Sequence, residues 1–383
     1  MRPMQAQGPV VRLRWAIFCH VVDNWGDLGV CWRLACNLAQ RGQQVRLFVD
    51  DNTILAWLAP RGMTGVELHT WSGEDCLNPA ALQADRIDDL LIEAFGCQVP
   101  PDYLRAFTAN ASRLDHLGAH WLNVEYLSAE HYAEQSHGLP SPVSYGPGVG
   151  LKKYFFYPGF VPGTGGLLRE ADLMVRRKNF RRSKWLKQRD IEWCGERLVS
   201  LFCYEPAALP ALLAMLATGA ERVLLLVCSG RGAQACHSAL AGGHGNRGNL
   251  RLVYLPRLSQ AEYDELLWAC DINYVRGEDS LVRALWAGKP LVWQAYPQAD
   301  EVHQVKVAAF LDWLEAPATL RALHKVWNSS TITDVSALSC FDPDALKAWT
   351  LVCRRARRRL LAQTDLASRL IDFVSTGRPS GDQ

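Results

Sequence analysis

The stretch WAIFCHVVDNWGDLGVCWRLACNLAQRGQQVRLFV, residues 15–49, decides the fold class of this chain. Its start, Trp15–Val22, is a mainly apolar run of strand length. Apolar residues then recur every three or four positions, which predicts an amphipathic helix over Gly29–Gln40 that ends at Gly42. A second apolar run, Val45–Val49, predicts another strand. Strand, helix and strand in this order form the βαβ unit of a parallel sheet with helices on its faces.

The same alternation recurs on both sides of a basic segment. Before that segment, strands are predicted at Asp89–Phe95 and His120–Val124, and the Gly- and Pro-rich residues 138–166 are predicted to form a long ordered loop region without regular structure. After it, the predicted elements are strands Arg197–Cys203, Arg222–Cys228, Leu252–Tyr254, Ile272–Val275 and Leu291–Gln294, and helices Ala207–Thr218, Gln260–Cys270 and Ser280–Ala287. Two doubly wound units therefore follow one another, and each should bind its ligand at the carboxyl ends of its strands.

The basic segment Arg176–Lys187 carries seven Lys and Arg residues and marks the expected domain boundary. We expect an N-terminal domain over residues 1–185, a C-terminal domain over 186–350, and a C-terminal helix and tail over 351–383. A chain of 383 residues is long enough for two such cores. The predicted class is α/β, and two sheets that face each other would enclose one cleft.

The composition argues against several classes of protein. Hydrophobic residues make up 49% and charged residues 21%, which argues against extensive disorder, and a formal net charge of +2 gives no general field for nucleic acid. The twelve cysteines include no CxxC pair, so we expect buried reduced thiols and no zinc site. No apolar stretch reaches the roughly 18 residues of a membrane helix and no signal peptide is evident, so we expect a cytoplasmic protein without a membrane partner.

The first candidate site is the acidic turn VDNWGDLG, residues 22–29, between the first strand and the first helix. This corner is a common functional position in α/β domains, and here it carries Asp23 and Asp27 four residues apart. The alternative is that Asp27 only caps the helix. The turn lacks the G-x-G-x-x-G pattern, and its carboxylates would repel a pyrophosphate, so a dinucleotide-dependent oxidoreductase is disfavoured.

The second candidate site is RGEDS, residues 276–280, between a predicted strand and a predicted helix. A helix N-terminus presents unpaired N–H groups to an anion, and Arg276 can add positive charge. Glu278 can hold sugar or ribose hydroxyls, and Ser280 can donate to a phosphate oxygen. The alternative is a capped helix with a salt bridge, in which Asp279 or Ser280 is the cap.

Further features are ambiguous when taken singly. Gln260 and Tyr263 precede the second site, and the Tyr263 ring could stack on a base or only pack against the sheet. The run Arg354–Arg359 is typical of a solvated helix face. The Arg176–Lys187 segment leaves open a non-catalytic module that binds nucleic acid, although the low net charge speaks against it.

Taken in order, these motifs resemble the EarP family of bacterial arginine rhamnosyltransferases. The resemblance runs from about Trp15 to Trp313 and rests on long, unusual strings. They are FCHVVDNWGDLGVCWRLA (18–35), VRLFVDD (45–51), LIEAFGC (91–97), WLNVEYLSAE (121–130), HGLPS (137–141), KYFFYPGF (153–160), TGGLLRE (164–170), SLFCYE (200–205), YDELLWACDINYVRGEDSLVRALWAGKP (263–290) and YPQ (296–298).

The resemblance implies a GT-B architecture, in which two Rossmann-like domains face each other across a cleft. It implies an inverting transfer of rhamnose from dTDP-β-L-rhamnose to an arginine of translation elongation factor P, without a cofactor or metal ion. The N-terminal domain would meet the acceptor protein, and the C-terminal domain would bind the nucleotide. By motif, Asp27 resembles the general base, Asp23 its acidic neighbour and Glu278 a third catalytic residue. The positions that resemble donor-binding residues are Tyr204, Gln260, Tyr263, Arg276, Glu278, Asp279 and Ser280.

A different nucleotide-sugar transferase, with a lipid or small-molecule acceptor, is the alternative enzyme. It would share the second site but would not need an acidic pair that faces a cation.

Overall fold

The computed structural model describes residues 12–21, 26–71, 87–110, 120–240, 247–298, 301–332, 335–338 and 342–377. Within them, two sheets follow one another along the chain. The strands of the first sheet are β1 (Arg14–Cys19), β2 (Gln44–Val49), β3 (Val66–Thr70), β4 (Leu90–Ala94), β5 (Trp121–Val124), β6 (Pro140–Pro142) and β7 (Lys152–Phe156). The helices in this part of the chain are α1 (Gly26–Gln40), α2 (Leu55–Leu58), α3 (Pro101–Asn110), α4 (His131–Ser136), α5 (Leu173–Asn179) and α6 (Arg182–Lys187). The last two, α5 and α6, pack against the second sheet through Leu173, Trp185 and Leu186.

The first sheet has the strand order β3-β2-β1-β4-β5-β7-β6. Its pairings are parallel except for that between β6 and β7. The order reverses at β1, so the loops that follow β1 and β4 leave the same edge of the sheet on either side of a crevice. Such a switch point is where doubly wound sheets bind their ligands.

The second half repeats this plan. Its strands are β8 (Arg197–Leu201), β9 (Val223–Val227), β10 (Leu250–Tyr254), β11 (Ile272–Arg276) and β12 (Leu291–Gln294). Its helices are α7 (Leu209–Thr218), α8 (Arg231–Ala239), α9 (Gln260–Ala269), α10 (Gly277–Ala287), α11 (His303–Leu314), α12 (Ala318–Trp327), α13 (Pro343–Leu361) and α14 (Leu366–Thr376). The parallel order β10-β9-β8-β11-β12 reverses between β8 and β11, which places the second switch point after these two strands.

Burial on both faces explains why the strands have almost continuous apolar sequences. In β1, Trp15 and Ile17 pack into the core under α1, whereas Ala16 and Phe18 pack into the core under α3. The last helix, α14, joins the first of these cores through Leu370 and other apolar side chains. The chain therefore ends, as far as it is described, against the half in which it begins.

One prediction about the elements is wrong. Residues 138–166 were expected to lack regular structure, but they contain β6 and β7, and β7 is an inner strand that pairs with β5 and β6. The short run Tyr154–Phe156 carries this strand, and its position is stabilised by backbone pairing on both sides, which the Gly and Pro residues around it obscure in the sequence. The helix predicted from Ser280 begins earlier, at Gly277, because Glu278 and Asp279 favour the first turn of a helix.

The two basic runs meet at the C-terminal end of α10. Arg177 of α5 donates to the carbonyl oxygen of Ala287 from Nε (3.0 Å) and Nη2 (2.7 Å), and Nη1 of Arg357 in α13 donates to the same oxygen (3.0 Å). Cations at a helix C-terminus oppose the negative end of its dipole. One arginine of each basic run, Arg177 and Arg357, therefore stabilises the fold at the end of α10. Among the described helices, none has the length and apolar character needed to cross a membrane.

Candidate active site

Two connected cavities lie between the sheets, at the two switch points. The larger measures about 1430 Å³ and the smaller about 720 Å³, both including space open to solvent. Gly26, at the start of α1, lines both cavities, and so do Gly277 and Glu278 at the start of α10. The two predicted sites are thus joined in one cleft built by both halves of the chain.

The start of α10 is shaped by a glycine. Gly277 has a φ of 65°, a left-handed conformation that a side chain disfavours. Its carbonyl oxygen accepts a hydrogen bond from Nε1 of Trp293 at 2.8 Å. This turn brings Glu278 to the boundary of the two cavities.

The smaller cavity contains most of the predicted donor-binding residues. It is lined by Gln260, Tyr263, Arg276, Glu278, Asp279 and Ser280 from the second half, together with Phe202, and by Trp57 and Leu58 from the first. The Tyr263 and Phe202 rings lie 5.5 Å apart at an angle of 63°. Burial raises the pKa of the Tyr263 phenol well above its usual value, so this group stays protonated and neutral. An aromatic wall beside a cation suits a base and its phosphates.

Arg276 is held by aromatic rings. Its guanidinium carbon lies 4.5 Å from the ring centre of Phe202 and 4.4 Å from that of Tyr204. Tyr204 is 1% exposed and lines neither cavity, so it reaches the site through its contact with Arg276. The predicted donor residue Tyr204 contacts the cavity residue Arg276, and stacking of this kind orients a guanidinium without neutralising its charge.

Three predicted donor groups make contacts within the protein. Nε2 of Gln260 donates to the carbonyl oxygen of Gly29 at 2.9 Å, and Asp279 pairs with Nε of Arg33 at 2.9 Å. The Ser280 hydroxyl accepts from the N–H of Arg276 at 3.0 Å and donates to the carbonyl oxygen of the same residue. Gln260 and Asp279 therefore touch the first half directly.

The larger cavity is acidic and aromatic. It carries the carboxylates of Asp27, Glu130 and Glu278 against the ammonium of Lys306. Asp27 lies in the first turn of α1 and is 5% exposed. Asp27 and Glu278 come from opposite halves and line the same cavity, whereas Asp23, the predicted partner of Asp27, lies outside the described residues. Three carboxylates against one ammonium suit a cationic group such as a guanidinium.

A buried charge network joins the two halves beside the cleft. Arg33 of α1 lies 2.9 Å from Asp279, 3.3 Å from Glu170 and 3.7 Å from Asp264. Arg283 of α10 pairs with Asp264 at 2.7 Å and with Glu170 at 2.8 Å. Burial raises the pKa of Glu170, but Arg283 and Arg33 outweigh it and hold that pKa at about 2.

Sequence reasoning missed several residues of the cleft, among them Trp57, Glu130, Phe202, Lys306 and Arg33. Arg33 and Glu130 lie inside two of the quoted strings, but nothing in the sequence shows which residues they face. Across the described residues, no cluster of three or more His, Cys, Asp or Glu side chains is arranged to hold a metal ion. The expected independence from metal stays a prediction.

Comparison with known proteins gives the family. The profile described as "Elongation-Factor P (EF-P) rhamnosyltransferase EarP" matches residues 15–375. A protein-arginine rhamnosyltransferase of Pseudomonas aeruginosa is 40% identical over 94% of this chain and 98% of that protein. A protein-arginine rhamnosyltransferase of Neisseria meningitidis serogroup B is 32% identical, over 94% of this chain and 96% of that protein.

Solved structures agree with this assignment. One described as "Structural basis for EarP-mediated arginine glycosylation of translation elongation factor EF-P" matches with a TM-score of 0.63 and 28% identity, over 94% of this chain and 98% of that one. The glycosyltransferase of kitacinnamycin, at 15% identity and a TM-score of 0.55, shares the fold. Two Rossmann-like sheets facing across one cleft are the GT-B architecture expected from the sequence. The chain is therefore a glycosyltransferase enzyme and belongs to the EarP family.

Proposed function

We propose that this enzyme transfers rhamnose from dTDP-β-L-rhamnose to an arginine side chain of translation elongation factor P, with inversion at the anomeric carbon. The observation that carries the proposal is the meeting of two unlike cavities at Glu278. One has an aromatic wall with Arg276, and the other has three carboxylates and Lys306. A nucleotide sugar and a cationic acceptor fit these two chemistries, and the names of the relatives specify rhamnose and protein arginine.

The donor occupies the smaller cavity in this proposal. The base stacks against the wall formed by Tyr263 and Phe202, where an aromatic contact contributes about 1–3 kcal/mol. The diphosphate lies at the N-terminus of α10, where N–H groups and Arg276 stabilise its charge. The sugar then points to the junction at Glu278, towards the larger cavity.

The acceptor guanidinium enters the larger cavity. Its pKa lies above about 12, so Asp27 cannot deprotonate it beforehand. Asp23 and Asp27 instead orient it through charge-assisted hydrogen bonds. As the guanidinium nitrogen forms its bond to the anomeric carbon, the bond from that carbon to the diphosphate oxygen breaks, and the nitrogen's proton passes to Asp27. The leaving dTDP gathers negative charge, which Arg276 and the α10 N-terminus stabilise. Direct displacement gives inversion and needs no metal ion.

The test is the intact mass of elongation factor P after incubation with the enzyme and dTDP-rhamnose. We expect a gain of one deoxyhexose on one arginine, unchanged by EDTA, and an anomeric configuration by NMR opposite to that of the donor. A variant acceptor with lysine at that position should gain nothing, because an ammonium cannot present the planar fork that two carboxylates grip. Transfer to a lipid or a small molecule, with elongation factor P unmodified, would favour the alternative acceptor class.

A further inference from the structure

The carboxylate of Glu278 is held from both halves of the chain. Its Oε1 lies 2.5 Å from Nζ of Lys306 in α11, and its Oε2 accepts a hydrogen bond from the N–H of Leu127 at 2.7 Å. Leu127 follows β5 in the first half. Since one oxygen is bound by each half, the direction of this carboxylate is fixed at the point where the two cavities meet.

Lys306 itself is placed by the opposite half. Its ammonium lies 5.8 Å from the ring centre of Tyr126, which stacks on Phe95 at 4.5 Å. Among the described residues that line the larger cavity, Lys306 is the one Lys or Arg side chain. It shares this cavity with three carboxylates, and its contact with Glu278 is an ion pair whose side chains are only 24% and 18% exposed. Solvent therefore screens this pair less than a surface pair.

We propose that Lys306 is a positioning residue for the sugar of the donor, and that it acts through Glu278. This inference rests on the proposed function. Glu278 lines both cavities, so it lies where the sugar must sit between the nucleotide and the acceptor. A carboxylate accepts hydrogen bonds from sugar hydroxyls in one geometry only when its own direction is fixed. Lys306 fixes that direction and offsets the repulsion from Asp27 and Glu130.

The consequence is a separation between recognition of the nucleotide and recognition of the sugar. The nucleotide contacts lie in the smaller cavity, which Lys306 does not line. Loss of the ammonium should therefore leave dTDP binding unchanged and remove the part of the affinity that the rhamnose adds. A residue with a merely structural role would not change one ligand's affinity without the other's.

The experiment measures the dissociation constants of dTDP and dTDP-rhamnose by calorimetry for the wild type, Lys306→Met and Lys306→Arg. Lys347→Met is the matched control, because Lys347 pairs with Asp344 on an exposed face of α13. We expect Lys306→Met to bind dTDP as the wild type does and to lose about tenfold of the affinity for dTDP-rhamnose, the range for a hydrogen bond to a charged group. Lys306→Arg should recover part of this loss, and Lys347→Met should show none.

Three results would overturn the inference. An unchanged ratio of the two constants in Lys306→Met would show that Glu278 does not need the ammonium. Equal weakening of dTDP and dTDP-rhamnose would place Lys306 on the diphosphate instead. A wild type that gains no affinity from the sugar would refute the donor assignment itself, and this is visible before any variant is made.

Discussion

Asp27 owes its position to the turn of chain that enters α1. It lies in the first turn of the helix and is 5% exposed, yet it lines the larger cavity. A carboxylate that is mostly enclosed but open on one side can grip a cation and take its proton without exchange with bulk water. This location separates Asp27 from the proposed nucleotide-binding residues, which belong to the second half of the chain.

Asp27→Asn should abolish transfer and leave dTDP binding intact. Asparagine keeps the shape and a hydrogen-bond acceptor but cannot take the proton, and loss of a general base costs about 10²–10⁴-fold in rate. The rate is measured by the mass of elongation factor P over time, and the binding by calorimetry. The control is Asp51→Asn, an exposed carboxylate at the end of β2. Near-normal turnover in Asp27→Asn would mean that another group accepts the proton.

At the scale of single elements, α12 supports the cavity through a buried histidine. Nε2 of His324 accepts the N–H of Trp293 in β12 at 3.0 Å, so Nδ1 carries the proton and donates to the carbonyl oxygen of Leu320 at 2.9 Å. Trp293 also lines the larger cavity. Burial lowers the pKa of His324 to about 4. The neutral ring thus ties α12 to the strand that carries part of the site.

This histidine should make the protein less stable in mild acid. Its pKa is about 4 in the folded chain and about 6.5 in the unfolded chain, so only the unfolded chain takes up a proton between these values. The contribution of His324 to the free energy of unfolding is therefore complete above pH 6.5. It decreases as the pH falls towards 4, and at pH 5 the decrease is about 2 kcal/mol. Urea unfolding measures the free energy of unfolding at pH 7.5 and 5.0. The decrease between these pH values should be smaller for His324→Gln than for the wild type.

The control for this measurement is His131→Gln, which changes a side chain that is 78% exposed on α4. Its free energy of unfolding should decrease between pH 7.5 and 5.0 by as much as that of the wild type. If the free energy of unfolding decreased equally in His324→Gln and the wild type, other groups, such as the buried His137, would account for the pH dependence.

Elements with a strong local pattern were predictable from the sequence. β1, α1 and β2 agree within a few residues because their apolar periodicity coincides with their burial. β7 was missed because its five residues are paired by neighbours that are distant in sequence rather than marked by their own pattern. The residues of the candidate site also divide into those that a local sequence pattern marks and those that it does not. Arg276 ends β11 and Asp27 lies in the first turn of α1, and a functional turn can be recognised between a strand and a helix, whereas Lys306 is one lysine within an ordinary helix.

For the whole molecule, the decisive contacts join residues that no local pattern can pair. Arg33 and Asp279 are 246 positions apart, yet they form the centre of the network between the halves. Arg33 is 4% exposed and touches three carboxylates, and Asp279 also lines the smaller cavity. The alignment of the two halves, and hence the cleft, depends on charges that balance only when both halves are present.

Arg33→Met should therefore destabilise the protein strongly, because it removes the ion-pair partner of Asp279 and leaves Glu170 and Asp264 mainly to Arg283. Breaking a buried pair in this way costs about 3–5 kcal/mol, whereas an exposed pair contributes about 1 kcal/mol or less. The control is Arg321→Met, which breaks the more exposed pair with Asp312 and the hydrogen bonds that Arg321 donates to the carbonyl oxygens of Leu311 and Ala316. Asp279→Asn in the Arg33→Met background should recover part of the loss, since it removes one of the unpaired charges. Urea unfolding followed by tryptophan fluorescence measures the wild type, these three variants and Asp279→Asn alone. If Arg33→Met cost no more than Arg321→Met, or if the effects of Arg33→Met and Asp279→Asn simply added, the two halves would be held together by their apolar contacts and α14 rather than by this network.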